Sequence, residues 1–228
     1  MDRQAERELR ENLYEQFARI CKALGSARRL ELMDLLSHGE HSVEQLAYET
    51  NMSIANTSQH LQLLRASRLV AHRRKGVEIF YRLADQTVFA LIQAVQDLAE
   101  ARLAEVDRII DQLILEREGI HTISFDQLEQ MVDKDSVYLV DVRPTTEYNF
   151  SHIPGAVSIP LSDLAEMIKN IPLEKEIVVY CRDYYCMLSD SAIKILAENQ
   201  IKASRLLPGM AEWKSQGKPD EQFVPAAV

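Results

Sequence analysis

Hydrophobic residues near the start of the chain recur at the spacing of one helical face. The stripe consists of Leu9, Leu13, Phe17, Ile20 and Leu24. This spacing is typical of an amphipathic helix, and it predicts one that ends at Gly25. Ser26 is a residue type that caps helix N-termini, so a second helix is predicted to follow it and to stop at Gly39.

Two short helices joined by a tight turn are predicted next. Ser42 and Gln45 have the spacing of a capping box, which predicts a helix through about Tyr48. Ser53 is in position to cap the following helix. The face of that helix predicted to point inward carries Thr57, Leu61 and Leu64. Short helices in this order, the second polar and basic on its outer side, are typical of a helix-turn-helix.

The hydrophobic period then changes from about 3.6 to 2, which indicates strands. Residues 70–83 alternate on both sides of Lys75 and Gly76 and predict a β-hairpin. Basic residues crowd the tip of this hairpin. A cationic hairpin directly after a helix-turn-helix is interpreted as a wing, which lies along the DNA backbone or in the minor groove.

Asp85 is predicted to start a long helix whose apolar face continues to Leu113. A helix of about thirty residues is ~45 Å long, more than a domain of ~100 residues can cover. It either pairs with a second copy of the chain or acts as a spacer, and the width of its apolar face favours pairing. The domains are placed at residues 1–118 and 119–228.

The second half of the chain alternates strands and helices. Residues 137–142 and 176–180 are nearly continuous β-branched and apolar runs, as expected for parallel strands buried on both faces. Helical spacing is found in residues 161–169 and 187–199. The predicted fold is therefore multidomain, with a mainly-α winged helix-turn-helix followed by an α/β domain that contains a parallel sheet.

Composition excludes several classes of protein. The 228 residues are 46% hydrophobic and 27% charged, which is typical of globular chains. No apolar run approaches the ~20 residues of a membrane-spanning helix, and the first residues are too polar for a signal peptide. Three cysteines without framework spacing indicate a reducing compartment, so we expect a cytoplasmic protein with no membrane partner.

Net charge changes the picture when it is counted by segment. The chain as a whole carries −9, which disfavours a nucleic-acid partner. Residues 53–82, however, hold six Lys and Arg against the single acid Glu78, a net charge of +5. Such a stripe is either a solvated face or the footprint of a phosphate backbone. The helix-turn-helix and wing around it favour DNA.

The order of helices and wing over about residues 5–115 resembles the ArsR/SmtB family of dimeric winged-helix repressors. Its most telling stretch is residues 53–70, followed by the basic wing. The resemblance implies a homodimer on a palindromic double-stranded operator, with the recognition helix in the major groove. Polar residues on that helix are expected to contact bases, and basic ones on the helix and wing to contact phosphates. These candidates are Ser53, Asn56, Ser58, Gln59, His60, Arg65, Arg73, Arg74 and Lys75.

The metal ligands that the ArsR/SmtB resemblance implies are missing here. Residues 42–47 contain no cysteine, and residues 86–118 contain neither cysteine nor histidine. His38 and His41 lie close in sequence, but two imidazoles do not make a metal site. Cys21 is interpreted as a small buried residue rather than as a ligand or switch. We therefore predict no metal and no cofactor.

Cys181 directly follows the second apolar strand of the α/β domain, and a short loop separates it from a helix that begins near Met187. Ligands of parallel sheets bind at the carboxyl ends of the strands, where loop amides and a helix N-terminus favour a thiolate. The order strand, cysteine, loop, helix leaves two interpretations open, nucleophilic or persulfide chemistry and a structural cysteine.

Motifs around this cysteine resemble the rhodanese family of sulfurtransferases. In order along the chain they are Asp141-Val-Arg143, Glu147-Tyr148, residues 151–157, Ile159-Pro160, Tyr180-Cys181-Arg182 and residues 206–213. The resemblance implies that Cys181 accepts sulfane sulfur from thiosulfate or polysulfide as a persulfide, cradled by the backbone amides of a six-residue loop. A seven-residue loop would instead suggest the related phosphatases and arsenate reductases.

The candidate catalytic residues are Cys181, Arg182 and Cys186, and the candidate pocket residues are Asp183, Tyr184 and Tyr185. Arg182 is expected to attract an anionic donor, whereas Asp183 opposes this. The two tyrosines are expected to narrow the mouth of the pocket. Cys186 either acts as a resolving thiol or packs at the start of the helix. Asp141 and Arg143 are interpreted as a structural charge pair.

These features lead to one principal hypothesis and two alternatives. The principal hypothesis is a DNA-binding transcriptional repressor in which persulfidation of Cys181 couples sulfur or redox status to operator binding. One alternative is a sulfurtransferase whose winged helix serves only dimerisation. The other is a reductase of an oxyanion such as arsenate, with Cys181 and Cys186 as its redox pair.

Overall fold

The structure, a computed structural model, describes residues 3–117 and 119–222, except for the side chains of residues 114–116. The chain divides into two units, Met1–Ala101 and Arg102–Val228. The domain boundary predicted at residue 118 lies outside the described residues. Among the described residues, no helix combines the length and the apolar composition that crossing a bilayer requires.

The N-terminal unit combines helices with a small antiparallel sheet. Its helices are α1 (Arg3–Leu24), α2 (Ala27–Ser37), α3 (Val43–Glu49), α4 (Ile54–Ala66) and α5 (Gln86–Arg102). Its strands are β1 (His41–Ser42), β2 (Val70–Lys75) and β3 (Glu78–Leu83). The predicted hairpin is confirmed, since β2 and β3 pair from Val70 opposite Leu83 to Lys75 opposite Glu78. Strand β1 pairs with the other edge of β3, which the pattern did not indicate.

Helix starts in this unit follow the predicted caps, with one exception. The N–H of Gln45 donates to Ser42 Oγ at 3.2 Å, and the N–H of Ser42 donates to Gln45 Oε1 at 2.8 Å, which completes the capping box of α3. The Ser53 hydroxyl accepts the N–H of Asn56 at 3.3 Å. Ser26 precedes α2 in extended conformation, but its side chain makes no capping hydrogen bond. The buried residues of α4 are Thr57, Leu61 and Leu64, as predicted.

The long helix predicted from Asp85 starts at that residue but is not continuous. Asp85 Oδ1 accepts the N–H groups of Thr87 at 2.8 Å and Val88 at 3.2 Å. Helix α5 ends at Arg102, Leu103 is not helical, and α6 (Ala104–Glu116) follows. The prediction of one thirty-residue helix is therefore wrong. Apolar residues continue at helical spacing beyond the break, so the pattern does not reveal it.

The predicted apolar stripe of α1 is open over most of its length. Leu9, Leu13 and Phe17 are 58%, 51% and 55% exposed, whereas Leu24 at the end of the helix is buried in the core of the unit. Cys21 is exposed as well, so its interpretation as a buried residue is wrong. A free face of large apolar side chains is therefore available on this helix.

The C-terminal unit is an α/β domain that follows α6. Its strands are β4 (Thr122–Ile123), β5 (Val137–Asp141), β6 (Val157–Ser158), β7 (Glu176–Tyr180) and β8 (Ala203–Leu206). Its remaining helices are α7 (Phe125–Asp133), α8 (Thr145–Phe150), α9 (Leu164–Met167), α10 (Leu188–Glu198) and α11 (Met210–Ser215). The strands form one parallel sheet in the order β4-β8-β7-β5-β6. This confirms the predicted fold class.

Strand β7 lies in the middle of this sheet and explains where Cys181 lies. Successive residues of a strand point to opposite faces. Val178 and Tyr180 accordingly belong to the hydrophobic core on one face, whereas Ile177, Val179 and Cys181 belong to the core on the other. Cys181 therefore lies at the carboxyl end of a central strand, on the face that α10 covers.

Candidate functional site

Cys181 is enclosed between the end of β7 and the first turn of α10. Its side chain lies 3.2 Å from Ser189 Oγ and 3.5 Å from the carbonyl oxygen of Cys186, both measured from Sγ. The residue is 1% exposed. The predicted position at the carboxyl edge of the sheet is confirmed, but the sulfur is sealed rather than open to solvent.

Polar groups around Cys181 lower the pKa of its thiol in spite of this enclosure. Burial raises the pKa of Cys181, but hydrogen bonds from Cys186 and from Ser189, together with the positive charge of Arg205, outweigh it. The pKa of the Cys186 thiol is raised well above its ordinary value, because it shares a hydrogen bond with Cys181 and is itself desolvated. Cys181 is therefore the more acidic thiol of the pair.

Carboxylates of the chain occupy the loop amides that were expected to cradle sulfur. Asp183 Oδ1 accepts the N–H groups of Tyr185 at 2.7 Å and Cys186 at 2.9 Å. Glu212 Oε1 accepts the N–H of Tyr184 at 3.2 Å. The predicted amide cradle is therefore wrong for these three groups. The Cys181 sulfur instead contacts the side chain of Ser189, in the first turn of α10.

Arg182 is paired with an acid inside the domain. Its Nε and Nη2 donate to Glu147 Oε1 at 3.0 and 2.6 Å, and both residues are buried. The guanidinium that was expected to attract an anionic donor is therefore balanced by a carboxylate. Asp141 and Arg143 form the predicted structural pair, with Nη2 and Oδ2 2.6 Å apart.

Arg205 supports the loop from the other side, and no motif had indicated it. Its Nη2 donates to the carbonyl oxygens of Asp183, Tyr184 and Cys186 at 3.4, 3.2 and 3.1 Å. Its Nη1 pairs with Asp190 on α10, and both residues are fully buried. Arg205 lies beside the polar Ser204 in a strand of four residues, so the residue pattern of β8 gives no signal that its side chain is buried.

Arg117 joins the same cluster from the residue that directly follows α6. Its Nε lies 3.1 Å from Asp190 Oδ2, and its Nη2 donates to the carbonyl oxygen of Tyr184 at 2.8 Å. Its guanidinium also lies 5.4 Å from the centre of the Tyr184 ring. Tyr184 and Tyr185 are half-buried neighbours with edge-to-face rings. The loop is thus bonded to the start of the domain through one arginine.

The candidate DNA-contact residues of α4 lie on its outer side. Ser53, Asn56, Gln59 and Arg65 are exposed, and Ser58 and His60 are half-buried. The Ser53 hydroxyl already serves as the N-cap of α4. The helix therefore presents amide and guanidinium groups on the side opposite its buried face.

The wing presents its basic residues to solvent, but one of them is already paired. Arg74 and Lys75 are exposed. Arg73 is also exposed, but its Nε lies 2.8 and 2.7 Å from the two carboxylate oxygens of Glu40. Its guanidinium lies 5.3 Å from the centre of the Phe80 ring. Arg73 is therefore held by an acid that a DNA phosphate would have to replace.

Comparison with known proteins matches the two halves of the chain separately. The rhodanese-like domain family matches residues 124–216. The family described as bacterial regulatory protein, arsR family, matches residues 26–72. Both matches fall on the segments whose motifs are described above.

One relative matches both halves together. HTH-type transcriptional regulator Rv0324 of Mycobacterium tuberculosis (strain ATCC 25618 / H37Rv) is 37% identical over 213 residues, which cover 93% of this chain and 93% of the relative. Putative sulfurtransferase YtwF of Bacillus subtilis (strain 168) is 34% identical over 101 residues, 44% of this chain and 96% of its own length.

Among solved structures, a Mycobacterium bovis protein matches the N-terminal half. It is the homodimeric winged helix-turn-helix DNA-binding domain Mb0332 (fragment 1–100), described as a possible ArsR-family transcriptional regulator. It is 40% identical, covers 45% of this chain and 90% of its own, and has a TM-score of 0.40.

Proposed function

Because this chain belongs to the ArsR family of bacterial transcriptional regulators and carries a C-terminal rhodanese-like domain, we propose that it is an operator-binding repressor controlled by sulfane sulfur. The observation that carries the proposal is the place of Cys181 at the carboxyl end of a central strand, with its sulfur 3.2 Å from Ser189 Oγ and with Cys186 on the same short loop. The pKa of Cys181 is lowered and that of Cys186 is raised, and an acidic thiol beside a less acidic one is suited to accept sulfur and then to release it.

DNA binding uses α4 and the wing. The exposed amides of Asn56 and Gln59 have the donor and acceptor geometry for an adenine edge in the major groove. Arg65, Arg74 and Lys75 neutralise phosphates and set the register on the duplex. Ser53, Ser58, His60 and Arg73 complete the set of proposed DNA-contact residues.

A homodimer provides the second half-site reader that a palindromic operator requires. The exposed stripe of α1, with Leu9, Leu13 and Phe17 each more than half exposed, is the surface that a second copy covers. Large apolar side chains in a row on one helix are typical of such an interface. Sedimentation of the full chain tests this, and a monomer at micromolar concentration would contradict it.

Sulfur enters by nucleophilic attack. The Cys181 thiolate attacks the outer sulfur of a donor R–S–SH, the donor S–S bond breaks, and its electron pair leaves on RS⁻. RS⁻ takes up the proton of the new persulfide, which gives RSH and a Cys181 persulfide anion. Since Cys181 is 1% exposed, the donor reaches it when the half-buried loop around Tyr184 and Tyr185 opens.

Cys186 resolves the persulfide. Its sulfur attacks the Cys181 sulfur, its proton goes to the departing sulfide, and HS⁻ leaves behind a Cys181–Cys186 disulfide. The two thiols are oxidised and the sulfane sulfur is reduced, so no other oxidant is needed. The raised pKa of Cys186 makes this second step slower than the first, because the thiolate is the nucleophile.

Arg117 connects the Cys181–Cys186 loop to the end of α6. That residue directly follows α6 and bonds to the carbonyl oxygen of Tyr184 and to Asp190. Joining Cys181 to Cys186 changes the conformation of the loop that Arg117 holds. The contact between loop and connector thus biases the segment that leads to the DNA-binding unit.

A mobility-shift titration with an operator fragment tests the proposal. An organic hydropersulfide is expected to change the affinity of the wild-type chain, and to leave Cys181→Ser unaffected because the thiol that attacks the donor is absent. Mass spectrometry should show one added sulfur atom on Cys181 first, and then a Cys181–Cys186 disulfide. Unchanged operator affinity at full modification would contradict the sensing function even if both domains work.

Sulfur transfer to an external thiol is the second candidate function. The high pKa of Cys186 favours it, since a slow resolving step leaves the Cys181 persulfide time to meet another acceptor. Catalytic turnover with cyanide or a thiol, together with DNA affinity that does not fall with salt, would favour a sulfurtransferase in which the winged helix serves dimerisation.

A further inference from the structure

In the Cys181–Cys186 loop, carboxylates of the chain accept backbone N–H groups that an anion-binding loop leaves available for its ligand. Loops that cradle oxyanions direct several N–H groups at the ligand. Here the N–H groups of Tyr184, Tyr185 and Cys186 instead donate to carboxylate oxygens at 3.2, 2.7 and 2.9 Å. Two of these bonds go to Asp183 and one to Glu212. These three N–H groups already have acceptors, so an oxyanion would have to displace a carboxylate to bind them.

Glu212 is fixed in place by the packing of α11 against the loop. Its Oε2 accepts the N–H of Gly209 at 2.9 Å, and a Cβ at Gly209 would lie 2.8 Å from the backbone nitrogen of Asp183. The N–H of Met210 donates to the carbonyl oxygen of Cys181 at 3.0 Å. The two segments are therefore in direct backbone contact, and moving the Glu212 carboxylate away would break its hydrogen bonds to Tyr184 and Gly209.

The charges near the loop also disfavour an anion. Arg182, the cation closest in sequence to Cys181, is paired with the buried Glu147. Burial and the charge of Asp183 raise the pKa of Glu212, which indicates that the two carboxylates repel each other. A thiosulfate or arsenate dianion would add two more negative charges to this place.

We propose that the sulfur site takes its sulfur from organic hydropersulfides and excludes dianionic donors, and that Asp183 is the residue that sets this specificity. The proposal rests on the function proposed above and names its donor class. A hydropersulfide presents an S–SH group that needs no oxyanion site, so the occupied amides do not hinder it. Thiosulfate must displace Asp183 from two N–H groups and overcome its charge.

The rate at which Cys181 gains sulfur, measured by mass spectrometry on the full chain, tests this. Cysteine hydropersulfide and thiosulfate are the two probes, and the ratio of their rates is the readout. The wild-type chain should favour the hydropersulfide by at least about tenfold, and Asp183→Ala should lower that ratio by about tenfold, the effect of one nearby unit charge. Asp183→Asn keeps an acceptor for the two N–H groups and should fall between them.

Glu198→Gln is the matched control, because it removes an exposed acid at the opposite end of α10. Its ratio should equal that of the wild-type chain. A wild-type preference for thiosulfate, or a ratio that Asp183→Ala leaves unchanged, would overturn the specificity. Absence of any sulfur on Cys181 from either probe would instead contradict the proposed function itself.

Discussion

The two candidate sites of this chain hold their polar groups in opposite ways. On α4 and the wing, the amides of Asn56 and Gln59 and the cations of Arg74 and Lys75 are exposed to solvent. In the loop after Cys181, three N–H groups bond to carboxylates and the carbonyl oxygens bond to buried arginines. The proposed DNA surface is therefore exposed, whereas Cys181 in the proposed sulfur site is buried.

Among the substitutions that test this difference, the replacement of Arg205 should have the largest effect, a loss of stability. Arg205→Met removes the donor to the carbonyl oxygens of Asp183 and Cys186 and leaves Asp190 with Arg117, and breaking a buried pair costs about 3–5 kcal/mol. Urea unfolding measures the loss. Lys202→Met is the control, since this exposed neighbour should change stability by less than ~0.5 kcal/mol. Equal stability of the two variants would show that the loop does not depend on Arg205.

Base contacts on α4 should give the next largest effect. Gln59→Ala or Asn56→Ala is expected to weaken operator binding by about 1–3 kcal/mol, with little change on unrelated DNA. Arg74→Gln should instead weaken binding to all DNA and lower the slope of log K against log salt by ~0.9. Fluorescence anisotropy at several salt concentrations separates the two. If Gln59→Ala weakened binding to both DNAs equally, α4 would not be the element that reads sequence.

The hydrogen bond from Cys186 should affect how the alkylation of the Cys181 thiol depends on pH. It stabilises the thiolate, so its removal in Cys186→Ala raises the pKa of Cys181 and moves the midpoint of thiol alkylation to higher pH. Cys186→Ser retains a hydroxyl donor and should shift less. A midpoint that moved to lower pH in the alanine variant would contradict the assigned roles.

The replacement of Glu40 should have the smallest effect. Glu40 pairs with Arg73, so this wing residue is an exposed candidate for DNA contact that is already bonded to an acid. Glu40→Gln removes the charge that holds Arg73, and DNA affinity should rise about two- to fivefold, in keeping with the modest energy of an exposed ion pair. Glu44→Gln, an exposed acid on α3, is the control for net charge alone. An identical gain in both variants would mean that Arg73 is not restrained by Glu40.

Sequence patterns predicted the parts of this chain that depend on local spacing. The capping box of Ser42 and Gln45, the hairpin of β2 and β3 and the position of Cys181 after a buried strand are all set by residues close in sequence. The break at Leu103 was not predicted, because helical spacing continues on both sides of it. Local periodicity identifies elements but not where a helix is interrupted.

The chemistry of the sulfur site could be predicted only in part. Cys181 and Cys186 follow from their motif, but the groups that set their environment come from distant segments. Arg117, Asp190 and Arg205 meet at the loop from the start of the domain, from α10 and from β8. The side-chain conformations that pair Arg182 with Glu147 and Asp183 with the loop amides depend on packing, which residue types alone do not specify.

Sulfur delivered to Cys181 is proposed to control operator binding, and one titration tests this directly. Operator Kd and the fraction of Cys181 present as persulfide or as the Cys181–Cys186 disulfide are measured on the same samples as a hydropersulfide is added. Kd is expected to change in proportion to that fraction and to return to its starting value on reduction. Full conversion of Cys181 with an unchanged Kd would contradict the proposal.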